Sequence, residues 1–169
     1  MSDPVDAEQV RAVTRRLAEL GIAYAMHEHA PVFTVDEAIR EWGAIDAVHC
    51  KNLFLRNKKG NRHYLVVAEH DTAIDIARLG ELFGGERLSF GSPERLLRCL
   101  GLTPGSVSPF GLINDAAHEV VVGVEARLAG VERVGFHPNV NTATVVISGA
   151  DLARFLAASG NDVRYIDRF

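Results

Sequence analysis

The stretch of sequence that predicts the fold runs from residue 50 to residue 68 and reads CKNLFLRNKKGNRHYLVVA. Two apolar segments flank the polar sequence Asn57-Lys-Lys-Gly-Asn61, which is typical of a hairpin turn. We therefore predict paired strands over residues 50–56 and 62–68. Other helices and strands follow without a regular βαβ order, so the predicted class is α+β. Its core is one central mixed, largely antiparallel sheet flanked by helices.

Helix signals surround this hairpin. Apolar residues at helical spacing predict a first helix over residues 6–20. Thr34 and Glu37 form a capping-box pattern that starts a helix of about two turns. Ser92 and Ser148 are expected N-caps of two later helices.

Short strands are predicted at both ends of the chain and in its second half. The expected ranges are 22–26, 111–114, 119–124, 131–136, 142–147 and 163–166. Residues 111–114 are expected to pair with residues 119–124.

Length and charge limit the possible functions. The chain has 169 residues, which predicts a single domain over residues 1–169, and its formal charge is −4. A protein with this balance is not a general polyanion binder, so any nucleic-acid contact must use a local basic patch. We expect no membrane span and no signal peptide. The two cysteines predict a reducing, cytoplasmic location without a disulfide framework.

A second informative stretch covers residues 101–115 and reads GLTPGSVSPFGLIND. Glycine allows sharp turns and close approach of a ligand, whereas proline stiffens the backbone. A rigid loop with exposed N–H groups can hold an anion or a developing oxyanion. The plainer interpretation is an ordinary surface connection, but an apolar segment follows directly, which favours an anchored site.

Candidate chemistry by residue type is sparse. Lys51 begins an apolar strand and could hold a phosphate, although a lysine at a strand end is more often simply solvated. His137 follows a strand and precedes a proline, so a substrate contact and a structural role are equally plausible. His27 and His29 share a face of an extended segment, but no third ligand has the spacing of a zinc site. We therefore predict no metal.

No nucleophile or cofactor motif stands out. Ser106 and Ser108 lack the Gly-x-Ser-x-Gly context of a serine hydrolase. Cys50 and Cys99 lie in apolar segments and are expected in the core. The chain has no Walker loop and no dinucleotide fingerprint, so no cofactor is predicted.

Three segments together resemble a known family. They are Lys51-Asn-Leu-Phe-Leu55, residues 100–115, and Phe136-His-Pro-Asn139 with Asn141-Thr-Ala-Thr144. In this order they are similar to the freestanding prolyl-tRNA editing domains of the YbaK/prolyl-tRNA-synthetase-associated family, and most similar to the alanine-specific branch. The resemblance covers about residues 24–166.

The resemblance implies an enzyme that hydrolyses the ester of mischarged Ala-tRNA(Pro). A synthetase separates proline from the smaller alanine poorly by binding alone, and a second site that admits only the wrong product solves this problem. The implied partner is the alanine-carrying acceptor end of tRNA(Pro), and prolyl-tRNA synthetase is a docking partner that the resemblance leaves open. The implied chemistry is metal-independent and relies on the 2′-hydroxyl of the substrate and a water.

The resemblance also assigns roles to individual residues. Lys51 is expected to position the tRNA 3′ end through its phosphate, and Asn52 is expected near the substrate. Gly105 and Pro109 match a Gly-x-x-x-Pro loop that holds the aminoacyl end through backbone groups. His137 is expected to shape the aminoacyl pocket and limit the size of the side chain that enters.

Further contacts complete the expected site. We expect the backbone N–H groups from Gly105 through Ser106 and Val107 to Ser108 to stabilise the tetrahedral oxyanion or to orient the reacting ester. Residues that could line the pocket, or lie in the core, are Val32, Phe33, Val48 and Leu53. Lys58 and Arg87 are expected tRNA contacts.

Three alternatives remain open at this stage. A deacylase for Cys-tRNA(Pro) or another small amino acid would share the lysine and the loop. A non-catalytic tRNA-binding or synthetase-docking module would bind without turnover. A metal-dependent hydrolase would lose activity with a chelator.

Overall fold

The computed structural model describes residues 3–169. Its sheet is built around the predicted hairpin, in which β2 (Val48–Asn57) pairs antiparallel with β3 (His63–Glu69). The remaining strands are β1 (Ala25–Glu28), β4 (Leu88–Phe90), β5 (Val120–Glu125), β6 (Val134–Phe136), β7 (Ala143–Ile147) and β8 (Val163–Ile166).

The strands form one mixed sheet in the order β1-β7-β6-β2-β3-β5-β8, and β4 pairs with the end of β2. Antiparallel pairs join β1 to β7, β7 to β6, and β2 to both β3 and β4. Parallel pairs join β2 to β6, β3 to β5, and β5 to β8. The predicted α+β class with a mixed, largely antiparallel sheet is confirmed.

Helices cover both faces of the sheet. They are α1 (Pro4–Glu19), α2 (Val35–Trp42), α3 (Ile76–Leu82), α4 (Pro93–Leu100) and α5 (Gly149–Ser159). The larger core packs α1, α4 and α5 against one face, whereas Leu79 of α3 and Phe83 pack against the other. Among residues 3–169, none of the helices combines the length and the hydrophobicity that a membrane span requires.

One predicted strand is wrong. Residues 111–114 do not pair with the strand that follows them but belong to a 3₁₀ helix, Pro109–Asn114. Ser108 caps this helix, because its hydroxyl accepts a hydrogen bond from the Phe110 N–H at 3.1 Å. The first predicted strand also lies later than residues 22–26, at Ala25–Glu28.

The sheet has a gap along one side of β2. On that side β6 pairs only with Val48 and His49, and β4 pairs only from Leu55 onward. The His49 carbonyl and the Asn57 N–H both bond toward β3, so alternate residues between them, including Asn52, direct their backbone groups to the opposite side. The Phe54 carbonyl accepts a hydrogen bond from the Gly91 N–H at 2.9 Å, and within residues 3–169 no strand pairs with residues 50–53 on that side.

Candidate active site

A pocket of about 340 Å³ lies beside this gap in the sheet. It brings together most of the residues that the sequence predicts for the site, namely Lys51, Asn52, Gly105, Val107, His137, Val32 and Phe33. A larger cavity of about 460 Å³, between α3 and β8, contains none of them. The smaller pocket is therefore the candidate active site.

Lys51 and Asn52 reach the pocket from β2. Both residues are half-buried, and no carboxylate among residues 3–169 forms a salt bridge with the Lys51 ammonium. The Asn52 Oδ1 atom is buried and has no hydrogen-bond partner. A free cation and an unsatisfied acceptor in the same pocket are suited to a ligand that carries both a negative and a positive group.

A tight turn supplies the opposite wall. The Thr103 carbonyl accepts a hydrogen bond from the Ser106 N–H at 3.1 Å, with Pro104 and Gly105 between them. Gly105 has a φ of 90°, as the third position of a type II turn requires. The Ser106 amide is thus occupied by the hydrogen bond of the turn. The amides of Gly105, Val107 and Ser108 have no partner among the described residues.

The other predicted loop residues support the wall from behind. Ser106 and Ser108 are buried, and the Ser108 hydroxyl is occupied by the cap of the 3₁₀ helix. Pro109 is also buried and begins that helix. None of these three lines the pocket, so their side chains act on it only through the backbone.

His137 closes the pocket at the end of β6. Its Nδ1 atom lies 2.9 Å from the Ala143 carbonyl, which can only accept, so this nitrogen carries the proton. Burial lowers the pKa of His137, and the neighbouring His29 and His49 lower it further. The ring is therefore neutral at pH 7, and its Nε2 atom is a hydrogen-bond acceptor.

Four lining residues were not predicted from the sequence: Thr34, Ala38, Trp42 and Cys50. The Trp42 ring stacks on His49 with ring centroids 4.9 Å apart and meets the edge of His70 at 5.3 Å. Burial raises the pKa of the Cys50 thiol to about 12, so Cys50 is an apolar wall and not a nucleophile. The spacing of Ala38 and Trp42, four residues apart on α2, was the available signal for a shared face.

Two predicted core or pocket residues and two predicted tRNA contacts lie elsewhere. Val48 and Leu53 pack against the two hydrophobic cores. Lys58 follows the far end of β2, and Arg87 precedes Leu88, the partner of Asn57. Seven residues of strand separate Lys58 from Lys51, which is roughly 23 Å. These two basic residues therefore do not contact the pocket.

One group of side chains in the described part of the chain has the composition of a metal site: Glu69, His70 and Asp71, with ligand atoms within 4.8 Å of one another. Glu69 is already paired with Arg127, and the other two residues are exposed. The group does not line the pocket. His27 and His29 do not belong to it.

Comparison with known proteins identifies the family. The pattern of the aminoacyl-tRNA editing domain matches residues 29–155. The chain is 44% identical over 164 residues to the prolyl-tRNA editing protein ProX of Acetoanaerobium sticklandii, covering 96% of this chain and 99% of that protein. It is 35% identical over 159 residues to prolyl-tRNA synthetase associated domain-containing protein 1 of Bos taurus, covering 92% and 93%. The chain belongs to the aminoacyl-tRNA editing domain family.

A solved structure shares the fold. The crystal structure of a candidate trans-editing enzyme for prolyl tRNA synthetase superposes with a TM-score of 0.71 at 22% identity, covering 98% of both chains.

Proposed function

We propose that this protein is a trans-acting deacylase that hydrolyses the ester of mischarged Ala-tRNA(Pro). The observation that carries the proposal is the single pocket that joins Lys51, Asn52, Gly105 and His137. The name of the ProX relative, a prolyl-tRNA editing protein, supports the tRNA partner and a cytoplasmic place of action. We also propose that residues 1–169 act as one domain.

Binding begins with the charges of the substrate. The unpaired Lys51 ammonium attracts the phosphate of the terminal nucleotide and thereby orients the 3′ end. The Asn52 Oδ1 atom, which lacks a partner in the free protein, accepts a hydrogen bond from the α-ammonium of the amino acid. These two contacts hold the ester between β2 and the Gly105 turn.

Hydrolysis then needs stabilisation of the tetrahedral intermediate. A water adds its oxygen to the carbonyl carbon while the substrate's own 2′-hydroxyl assists proton transfer. The resulting oxyanion is stabilised by the unpartnered amides of Gly105 and Val107, the two loop residues that line the pocket. Collapse breaks the bond to the 3′-oxygen, which takes up the proton, and releases free alanine. No protein nucleophile takes part.

Selection by size follows from the walls of the pocket. Trp42, Val107 and Cys50 present apolar surface, and His137 is fixed by the Ala143 carbonyl. These walls are the groups that set which side chain enters, and the proline ring is bulkier than the methyl group of alanine. The walls alone do not separate alanine from cysteine, so Cys-tRNA(Pro) is the second candidate substrate.

The decisive experiment measures deacylation of tRNA(Pro) charged with alanine, cysteine, serine or proline by the purified protein. We expect the highest kcat/KM for alanine and no measurable hydrolysis of Pro-tRNA(Pro). Faster hydrolysis of the cysteine ester would assign the protein to the second candidate. Binding of tRNA without turnover of any ester would contradict the proposal and support a docking module.

A parallel assay with EDTA tests metal independence. We expect unchanged rates, because the groups that hold the ester are an ammonium, an amide side chain and backbone amides. Loss of activity that added zinc restores would point instead to a metal-dependent hydrolase.

A further inference from the structure

Phe33 is unusually exposed for a residue with a purely structural role. Its side chain is 80% exposed, the highest value among the large hydrophobic residues of the described chain, yet it stands at the mouth of the candidate active site. Exposed aromatic rings beside a binding pocket are typical of recognition surfaces.

The backbone that carries this ring is firmly held. The Phe33 N–H donates to the Glu37 Oε2 atom at 2.8 Å, and the same oxygen accepts from the Thr34 N–H at 3.1 Å. On the other side, the Asn141 side chain donates to the Val32 carbonyl at 3.5 Å. The ring is therefore presented to solvent from an ordered base, which limits the entropy lost on binding.

The chemistry of the substrate determines what reaches this ring. In an aminoacyl-tRNA the ester is attached to the same ribose that carries the terminal base. When the amino acid enters the pocket, the ribose lies at the mouth and the base lies outside it. Lys51 fixes the neighbouring phosphate from the β2 side of the same pocket. The base extends outward from the ribose at the mouth, where the exposed ring of Phe33, a lining residue of the same pocket, is available to it.

We propose that Phe33 forms a nucleobase subsite, on which the unpaired terminal base of the tRNA stacks. This inference rests on the proposed deacylase function and adds a recognition element to it. Every base has a π-face, so stacking tolerates sequence variation while contributing binding energy. An apolar side chain without a ring at residue 33 cannot replace the stack.

The test is a double-mutant cycle between the ring and the base. Phe33→Leu is compared with the unmodified protein on alanyl-tRNA(Pro) and on the same substrate with an abasic terminal nucleotide. We expect Phe33→Leu to lower kcat/KM on the order of 10-fold with the normal substrate and to have no effect on the abasic one. Phe33→Trp should retain activity. Equal losses on both substrates would overturn the proposal.

A matched control uses Phe90, which is 65% exposed and pairs with Leu55 toward the far end of β2. Phe90→Leu should change neither substrate's rate. A binding measurement separates this inference from the proposed function, because it needs no turnover. Uncharged CCA oligonucleotide should bind several-fold more weakly to Phe33→Leu, and an abasic terminus should abolish the difference. Equal binding of both oligonucleotides to both proteins would overturn the subsite even if the deacylase activity is found.

Discussion

At the scale of single residues, the clearest feature is a lysine ammonium without a counter-ion. Lys51 forms no salt bridge with any described carboxylate, yet it lies half-buried in the candidate site. A half-buried ammonium without a counter-ion adds little to the stability of the free protein, and it gains a favourable interaction when an anion binds. Its removal should affect activity far more than stability.

The Lys51 variants test this directly. Lys51→Met removes the charge while keeping the stem, and we expect kcat/KM for Ala-tRNA(Pro) to fall on the order of 10²-fold. The urea midpoint should not fall. Lys51→Arg, which keeps the charge, should retain more activity than Lys51→Met. Full activity of a folded Lys51→Met protein would remove Lys51 from the mechanism.

Gly105 allows a prediction about backbone conformation. An alanine there would have adequate space, since its Cβ atom meets only the Asn141 amide nitrogen at 4.0 Å. Its φ of 90° is nevertheless unfavourable for any residue with a side chain. We expect Gly105→Ala to cost about 1–3 kcal/mol in the free energy of unfolding, or to shift the turn and lower the deacylation rate.

Gly130 provides the matched control. It also has open space where the methyl group of an alanine would lie, but its φ is not in the left-handed region. Gly130→Ala should leave both the unfolding curve and the deacylation rate unchanged. A similar loss in both variants would show that the turn conformation is not the cause.

At the scale of elements, α2 connects helix capping to the pocket. Thr34 Oγ1 accepts a hydrogen bond from the Glu37 N–H, and the Glu37 carboxylate returns to the Thr34 N–H. Hydrogen bonds from the Phe33 and Thr34 amides lower the pKa of Glu37. The capping box therefore weakens in acid, as the pH falls below the ordinary carboxyl pKa of 4.5 and Glu37 becomes protonated. The helix fixed in this way places Ala38 and Trp42 at the wall of the pocket.

Removal of this cap should therefore have two effects. We expect Thr34→Ala to cost about 1 kcal/mol in stability and also to raise KM, because α2 forms one wall of the pocket. Ser148→Ala removes an equivalent cap from α5, where Ser148 accepts from the Asp151 N–H at 3.0 Å. Urea unfolding of Ser148→Ala should show a similar loss of stability, whereas its steady-state KM should stay unchanged.

The elements also show why one sequence prediction failed. The apolar run after Pro109 is short, and periodicity alone does not separate a short buried strand from a buried helical turn. Ser108-Pro109 is the same N-cap signal as Ser92-Pro93, which correctly predicted α4. The information was present, but the hydrophobicity of the run outweighed it in our interpretation.

At the scale of the whole molecule, buried histidines link stability to pH. Burial lowers the pKa values of His49, His63 and His137 from the ordinary 6.5. His63 also lies 3.0 Å from the Arg95 guanidinium, to which its Nε2 atom must present a lone pair. The unfolded chain therefore binds more protons than the native one below about pH 6.5.

The sign of the effect follows from this difference. Stability from these groups is fully present above the unfolded pKa of about 6.5 and decreases as the pH falls toward the lower native values. We expect the urea midpoint to drop between pH 7.5 and pH 5 and to change less steeply in His63→Gln. A midpoint that rises on acidification would contradict the assignment of neutral histidines.

The whole molecule also explains what sequence could and could not reveal of the site. Local patterns predicted the hairpin, the capping box and the strand before His137. The parallel pairing of β2 with β6, which brings His137 into the same pocket as Lys51, joins segments more than 80 residues apart and leaves no local signal. Cys50 was missed for the same reason. The spacing of Ala38 and Trp42 indicated a shared helix face but not which surface that face meets.

The gap beside β2 also affects the tendency of the protein to aggregate. Unpaired backbone groups within a sheet can template the strand of another chain, and proteins usually cover such places. Here α2 and the Gly105 turn lie beside the gap, because they line the same pocket as Lys51 and Asn52. Variants in which α2 detaches should therefore lose solubility along with activity. Selection against aggregation would therefore preserve the architecture of this pocket independently of selection for activity.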